Sequence, residues 1–187
     1  MKWYTRRMEV VLIAAITLDG FIARSKHESS LEWTSKEDTK WFVQKTKEIG
    51  YCIMGKTTFD TIGRPLPERQ IFVLSSAGES VDSQKIGEKN SVMLTNAPPR
   101  ELLAALEEKG ISSVAICGGS SIYSQFLATG LVTRLFLTVE PVLFGRGIPL
   151  IADPVDIRLK QESEFPLSST AFVREYRVVS ANLGGTL

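Results

Sequence analysis

Two cations and an acid carry the chemistry that this chain can do. Lys56 stands in Gly55-Lys56-Thr57-Thr58, after the short apolar run Tyr51-Cys52-Ile53. The run reads as a buried strand, and Gly55 to Thr58 as a turn into a helix. A helix start presents free N–H groups and a partial positive end, so it can hold a phosphate; Lys56 adds a full charge there. Further on, Gly63-Arg64-Pro65-Leu66-Pro67 is a stiff turn, because each Pro fixes φ and restricts the residue before it. It delivers a second cation, Arg69, to a fixed place. Two cations and a helix start, spaced by a rigid loop, suit a ligand or ligands bearing separate anions.

The acid is Asp38. Phe42, Lys45 and Ile49 follow it at helical spacing and share its stripe, with Trp41 on the flank. The carboxyl therefore borders an apolar face, where burial disfavours its charged form and raises its pKa. Such a group can exchange a proton or hold a cationic ring. Ser35-Lys36-Glu37-Asp38 also fits a capping box, in which Asp38 only closes the helix start. Both readings stand on the residues alone. A further motif is Ile116-Cys117-Gly118-Gly119-Ser120-Ser121-Ile122-Tyr123, read as strand, Gly-Gly and helix. Glycines let backbone approach a ligand closely, and the following helix start can hold a pyrophosphate. Two glycines alone are a weak signal.

The elements that must position these residues follow from composition and pattern. The chain has 187 residues, 43% hydrophobic and 23% charged, enough for one well-buried core and one domain, residues 1–187, with no linker or repeat. A formal net charge of +1 calls for no nucleic acid or anionic membrane. Cys52 and Cys117 sit in apolar runs and read as small core residues. With a single histidine, His27, they cannot build a usual structural zinc site, so no metal is expected. No apolar run reaches bilayer length, and the basic start, Met1 to Arg7, leads into a short strand rather than a secretory core. A cytoplasmic, reducing setting is expected.

Glu9 to Ile16 is a continuous apolar run, which suits a strand covered on both faces. Asp19-Gly20 is a turn, and Ala23 to Ser30 reads as a flexible loop. Ser35 caps a helix that runs to about Ile49, with Gly50 as its stop. Strands are expected at Gln70–Ser75, Ser91–Thr95, Ser112–Cys117 and Thr133–Val142. Helices are expected from Pro98-Pro99 to Lys109 and from Ser120 to about Ala128. The tail reads as two strands, about Ile157–Glu164 and Ala171–Val179. This order implies an α/β fold: a mixed, mainly parallel central sheet with helices on both faces and a C-terminal antiparallel hairpin. Ligands of such sheets bind outside the carboxyl ends of the strands, where the motifs fall.

The segment from Met54 to Arg69 resembles the dihydrofolate reductases. Trp33, Asp38, Trp41 and Phe42 repeat the spacing of that family's acid and its tryptophans, and Gly118-Gly119 with Tyr123, Phe126 and Leu127 resembles its glycine segment. The resemblance covers about residues 9–140. It implies that Asp38 is the catalytic acid, pairing with the pterin 2-amino group and N3 and supporting protonation of N5. Trp33 would stand beside the pterin through a water, and Thr138 would hydrogen-bond the acid. The cofactor would be NADPH, held by Ala15, Gly55, Lys56, Thr57, Leu74, Ser75, Ser76, Cys117, Gly118, Gly119, Ser120, Ser121, Ile122 and Tyr123. Lys56 with Leu74-Ser75-Ser76 implies NADPH over NADH. Dihydrofolate would be lined by Ala14, Ala15, Asp38, Phe42, Ile62, Leu66, Arg69, Cys117, Tyr123 and Thr138, with Arg69 on its glutamate tail. The family also implies a cis peptide at Gly118–Gly119, a monomer or homodimer, and antifolates such as methotrexate or trimethoprim as inhibitors.

Three features depart from that pattern. The Asp19–Trp33 loop is longer than in compact bacterial enzymes. Lys36-Glu37 stands where many members carry a Pro. Gly145-Arg146-Gly147-Ile148-Pro149-Leu150 and Leu18-Asp19-Gly20-Phe21-Ile22-Ala23 look like the reductase domain of riboflavin biosynthesis, a relative with the same fold. A riboflavin-pathway or other pteridine-like NADPH reductase is the first alternative, and a non-catalytic nucleotide-binding protein the second.

Overall fold

The computed structural model describes residues 7–181, so most of the basic start lies outside the described residues. Ten strands and four helices follow in the order β1 (Glu9–Thr17), β2 (Phe21–Ala23), α1 (Lys36–Ile49), β3 (Tyr51–Gly55), α2 (Lys56–Ile62), β4 (Gln70–Glu79), β5 (Val92–Thr95), α3 (Pro99–Glu108), β6 (Ser113–Ile116), α4 (Ser120–Leu127), β7 (Arg134–Glu140), β8 (Ile148–Pro149), β9 (Ile157–Pro166) and β10 (Phe172–Ala181). The main sheet has eight strands in the order β5-β4-β3-β6-β1-β7-β10-β9. β10 runs antiparallel to both β7 and β9, whereas the pairings on the β5 side of β7 are parallel.

The apolar run of β1 has no polar alternation because both of its faces are covered. Val10, Leu12 and Ala14 pack on one side with Leu102, Leu103 and Leu106 of α3 and Ile122 and Phe126 of α4. Val11 and Ile13 pack on the other with Trp41 and Phe42 of α1 and Phe59 and Ile62 of α2. One-residue alternation along a strand thus divides the core into two halves. β1 lies centrally between β6 and β7, so its carboxyl end opens between the two helix layers.

The ends of α1 show how local signals set the frame. Ser35 accepts the Asp38 N–H at 3.2 Å, and Gly50 takes the left-handed conformation, φ 81°, and returns its N–H to the Thr46 carbonyl. Only half of a capping box forms. The Ser35 N–H donates to Glu140 Oε1 at 2.8 Å instead of to the side chain of Asp38, which leaves the Asp38 carboxyl uncommitted to the cap.

The expected flexible loop forms neither helix nor strand over residues 24–29, and its two ends are tied down. β2 pairs with β8, the Leu18 N–H donates to the Val142 carbonyl, and Ser30–Glu32 forms a short 3₁₀ turn closed by a Ser29–Glu32 capping box. The Asp19 carboxylate accepts from Gly145 N at 2.7 Å and from Phe144 N at 3.1 Å, tying the two segments together. Gly147 is required there: a Cβ would collide with the Ala23 carbonyl. Apart from the Ser29–Glu32 box, these partners come from a segment far along the chain, so no window of local sequence shows them.

Candidate active site

Asp38 lies in the first turn of α1 and is 7% exposed. Burial pushes its carboxyl above the usual range; the Thr138 hydroxyl opposes the rise, the negative charge of Glu140 adds to it, and the Thr34 hydroxyl opposes it. Among the described residues Asp38 has no ion-pair partner. The neighbouring hydroxyls are themselves unsatisfied. Among the described residues the buried side-chain polar atoms without a partner are Trp33 Nε1, Thr34 Oγ1, Thr138 Oγ1 and Ser120 Oγ. Native structures rarely leave buried polar atoms unpaired, and each exception calls for an explanation. Three of the four belong to the turn entering α1 or to the strand facing it. The fourth opens α4.

Arg69 differs from a loop arginine open to water: it is 2% exposed. Its Nε donates to the Pro67 carbonyl at 3.0 Å, and its Nη1 to Thr46 Oγ1 at 2.7 Å and the Val43 carbonyl at 3.5 Å. Burial lowers its pKa, and no carboxylate of the described residues pairs with it. The stiff Pro turn thus folds the guanidinium back onto α1. Asp38 and Thr46 are both on α1, and at 1.5 Å rise per residue the two sites are about 12 Å apart along its axis. Phe42, Ile62 and Leu66 pack into the cluster on this face of the sheet, with Cys117 among its buried members. Cys117 and Cys52 are free and buried, and the Cys117 thiol is pushed well up by its neighbour Cys52 and by burial.

The glycine loop is tightly built. Gly118–Gly119 is a cis peptide, as the family resemblance implies. The Gly118 carbonyl accepts the Gly55 N–H at 2.8 Å, which joins the end of β3 to the start of the loop. Tyr123 is buried and donates its hydroxyl to the Ile13 carbonyl at 2.7 Å. Gly118 has φ 113°, and a Cβ there would sit 3.2 Å from that hydroxyl. Gly118→Ala is expected to cost on the order of 1–3 kcal/mol, the scale of a side chain held in a left-handed conformation, read as a lower melting temperature.

Lys56 opens α2 and is exposed, paired with Asp60 at 2.5 Å. Its neighbour Thr57 is exposed, as are Ser76 and Ser121, while Leu74 and Ser75 are half-buried at the end of the paired part of β4. Ala14 and Ala15 sit on β1, where Ala15 pairs with Thr138. The structure therefore brings Asp38, Thr138, Phe42, Ile62, Leu66, Arg69 and Cys117 to one face of the sheet, and Gly55, Gly118, Gly119 and Ser120 to the loops beyond β3 and β6. Phe144, which is not among the expected site residues, touches Trp33 edge-on at 5.2 Å between ring centres and lies under the Arg24 guanidinium at 4.1 Å. Glu140 was also missed. Its signal was a carboxylate ending a buried strand, two residues beyond Thr138 and hence on the same face.

The family model for dihydrofolate reductase matches residues 9–140. The chain belongs to the dihydrofolate reductase family. It is an oxidoreductase of that broad type. It is similar to the dihydrofolate reductase of Buchnera aphidicola subsp. Baizongia pistaciae, 29% identical over 139 residues, which are 74% of this chain and 75% of that protein. Its fold matches RibD of Acinetobacter baumannii with a TM-score of 0.75 at 19% identity, covering 94% of this chain and 59% of that one. It also matches a dihydrofolate reductase of Enterococcus faecalis complexed with NADP(H), with a TM-score of 0.68 at 23% identity, covering 92% and 97%. Among the described residues no helix is long and apolar enough to cross a membrane, and no cluster of three metal-binding side chains occurs.

Proposed function

We propose that this protein reduces 7,8-dihydrofolate to tetrahydrofolate with NADPH. The observation that carries the reading is a pair of buried groups, the Asp38 carboxyl on α1 and the Arg69 guanidinium packed against α1, neither in an ion pair among the described residues. Buried ionisable groups without a counter-charge are costly to charge, so each favours a ligand group of opposite charge or matching hydrogen bonds. A ring with an exocyclic amine at one end and a carboxylate tail at the other meets both. A riboflavin-type substrate offers a phosphate but no tail carboxylate for Arg69.

The residues present also fit the cofactor. Ser120 Oγ is buried and unpartnered at the start of α4, and Gly119 leaves space that a Cβ would take against Thr58 Oγ1, 3.3 Å away. Ser120, Gly118 and Gly119 would hold the pyrophosphate, and Lys56, Ser75 and Ser76 the 2′-phosphate. NADPH supplies the hydride that adds to pterin C6. The chain does the rest. Asp38 binds the 2-amino group and N3 and supports the proton at N5. Thr138 and Trp33 would orient the acid and the ring, the latter through a water. Phe42, Ile62 and Leu66 exclude water from the ring face, so orientation in a dry pocket contributes much of the rate.

The Lys56–Asp60 pair is exposed, so breaking it costs little and Lys56 is free to exchange partners. Lys56→Ala is expected to weaken NADPH by about tenfold or more and NADH hardly at all, as one charge-assisted contact to phosphate is lost. Fluorescence titration with both cofactors checks this; equal losses would remove Lys56 from the 2′-phosphate. The function itself is tested by NADPH oxidation in the presence of dihydrofolate, with and without methotrexate. Methotrexate-sensitive oxidation is expected. NADPH binding without oxidation would transfer the reading to the riboflavin-type substrate.

A further inference from the structure

Glu140 is a second buried acid beside Asp38. It ends β7, is 4% exposed, and among the described residues forms no ion pair. Its Oε1 accepts twice from one residue: the Ser35 N–H at 2.8 Å and the Ser35 hydroxyl at 2.7 Å. Ser35 Oγ in turn accepts the Asp38 N–H at 3.2 Å. Glu140 is thus joined to Asp38 through one residue, and both lie on the side of β7 that carries Thr138. Two buried carboxyls without a cation repel when both are charged, because a poorly solvated site screens like charges weakly. Glu140 has two well-formed hydrogen bonds from Ser35, which suit a carboxylate. Asp38 has only the Thr138 and Thr34 hydroxyls, neither of which completes a hydrogen bond of good geometry.

We propose that Glu140 is a positioning residue for Asp38: its carboxylate holds the cap of α1 through Ser35 and sets a negative charge beside the acid. The proposal rests on Asp38 being the acid of the reductase site. The other groups that face Asp38 do not do this work. Thr138 on β7 and Thr34 before α1 are neutral. The Tyr123 phenol on α4 is buried and bonded to the Ile13 carbonyl, and the charged residues of the first turn of α1, Lys36 and Glu37, are exposed. Glu140 is therefore the anion that faces the acid from a neighbouring element. A proton retained on Asp38 extends to higher pH the range in which N5 can be protonated.

Glu140→Gln tests this, because the amide oxygen can still accept from Ser35 while the charge is gone. Carboxyl ¹³C NMR of the free protein would follow the titration of Asp38 without substrate. Its midpoint is expected to move to lower pH in Glu140→Gln. The falling limb of turnover against pH should move the same way, with a loss of about threefold at neutral pH and none at the acid end. Ser35→Ala keeps both acids and the backbone N–H that donates to Glu140 but removes the hydroxyl between them; it should lower the melting temperature and move the Asp38 midpoint by less than Glu140→Gln does. An unchanged midpoint in Glu140→Gln overturns the proposal, as does a shift of equal size in Ser35→Ala, which would assign the effect to helix position alone. A moved midpoint in a protein that turns over no pterin leaves the carboxyl coupling standing and removes the dihydrofolate reading.

Discussion

Asp38→Asn is expected to lower turnover of dihydrofolate by at least ~100-fold, the scale of losing acid–base assistance from one positioned group. The amide fills the same space and can still accept a hydrogen bond, so the loss falls on the proton rather than on packing. Single-turnover measurements at neutral pH check it, and turnover close to that of the unmodified protein would remove Asp38 from the chemistry. The same substitution has an opposite effect on stability. In the folded protein the Asp38 carboxyl is raised above its ordinary value, chiefly by burial. Its contribution to stability is therefore full below the unfolded carboxyl range and is lost as pH rises through the folded value. At and above neutral pH the protein carries a buried carboxyl whose charged form is disfavoured. Asp38→Asn should then melt at or above the temperature of the unmodified protein at high pH and lose that advantage in acid. An inactive, more stable variant is the signature of a strained functional group, whereas an inactive, less stable one would assign Asp38 to the capping of α1.

The parts of this site that were legible in the sequence are those set by short-range rules. Ser35 and Gly50 bound α1 because cap preferences act within a turn of the chain, and the Asp38, Phe42 and Ile49 stripe follows from helical period alone. The continuous apolar run of β1 announced a strand covered on both faces, and so a layered α/β core. What stayed hidden depends on partners far along the chain. The burial of Arg69 is fixed by Thr46 and the Val43 carbonyl of α1, which the Pro turn reaches only once the helix is docked. Ser35 gives its N–H to Glu140, so a capping box that reads well in one dimension is divided in three. Lys56 reads as a free cation until α2 forms and places Asp60 one turn on. The Asp19–Trp33 segment reads as a loop because its order comes from β8 and from the backbone at Phe144 and Gly145.

Arg69 is the residue at which the folate reading and its riboflavin-type rival can be told apart by experiment. A carboxylate can pair with the outer edge of the planar guanidinium fork, Nη2 together with the Nη1 hydrogen that makes only a long 3.5 Å contact to the Val43 carbonyl, in a way that a lysine cannot. In the free protein Nε and Nη1 are held by the Pro67 carbonyl, Thr46 and Val43, so the guanidinium is oriented before a ligand arrives. Preorganisation of this kind lowers the ordering cost of binding. Arg69→Ala is expected to raise the Kd of dihydrofolate by about 10- to 100-fold, corresponding to about 1.5–3 kcal/mol for a hydrogen bond to a charged group. The affinity for a dihydropterin lacking the glutamate tail should hardly change. Because Arg69 is buried, Ala also removes packing against α1, and Arg69→Lys controls for that: it keeps the charge and much of the stem but loses the fork. A loss confined to the tailed substrate, and partly recovered in Arg69→Lys, assigns the guanidinium to the tail. Equal losses for tailed and tailless pterins would mean that Arg69 acts by holding α1 in place, and a buried cation would then no longer favour folate over a substrate without a carboxylate.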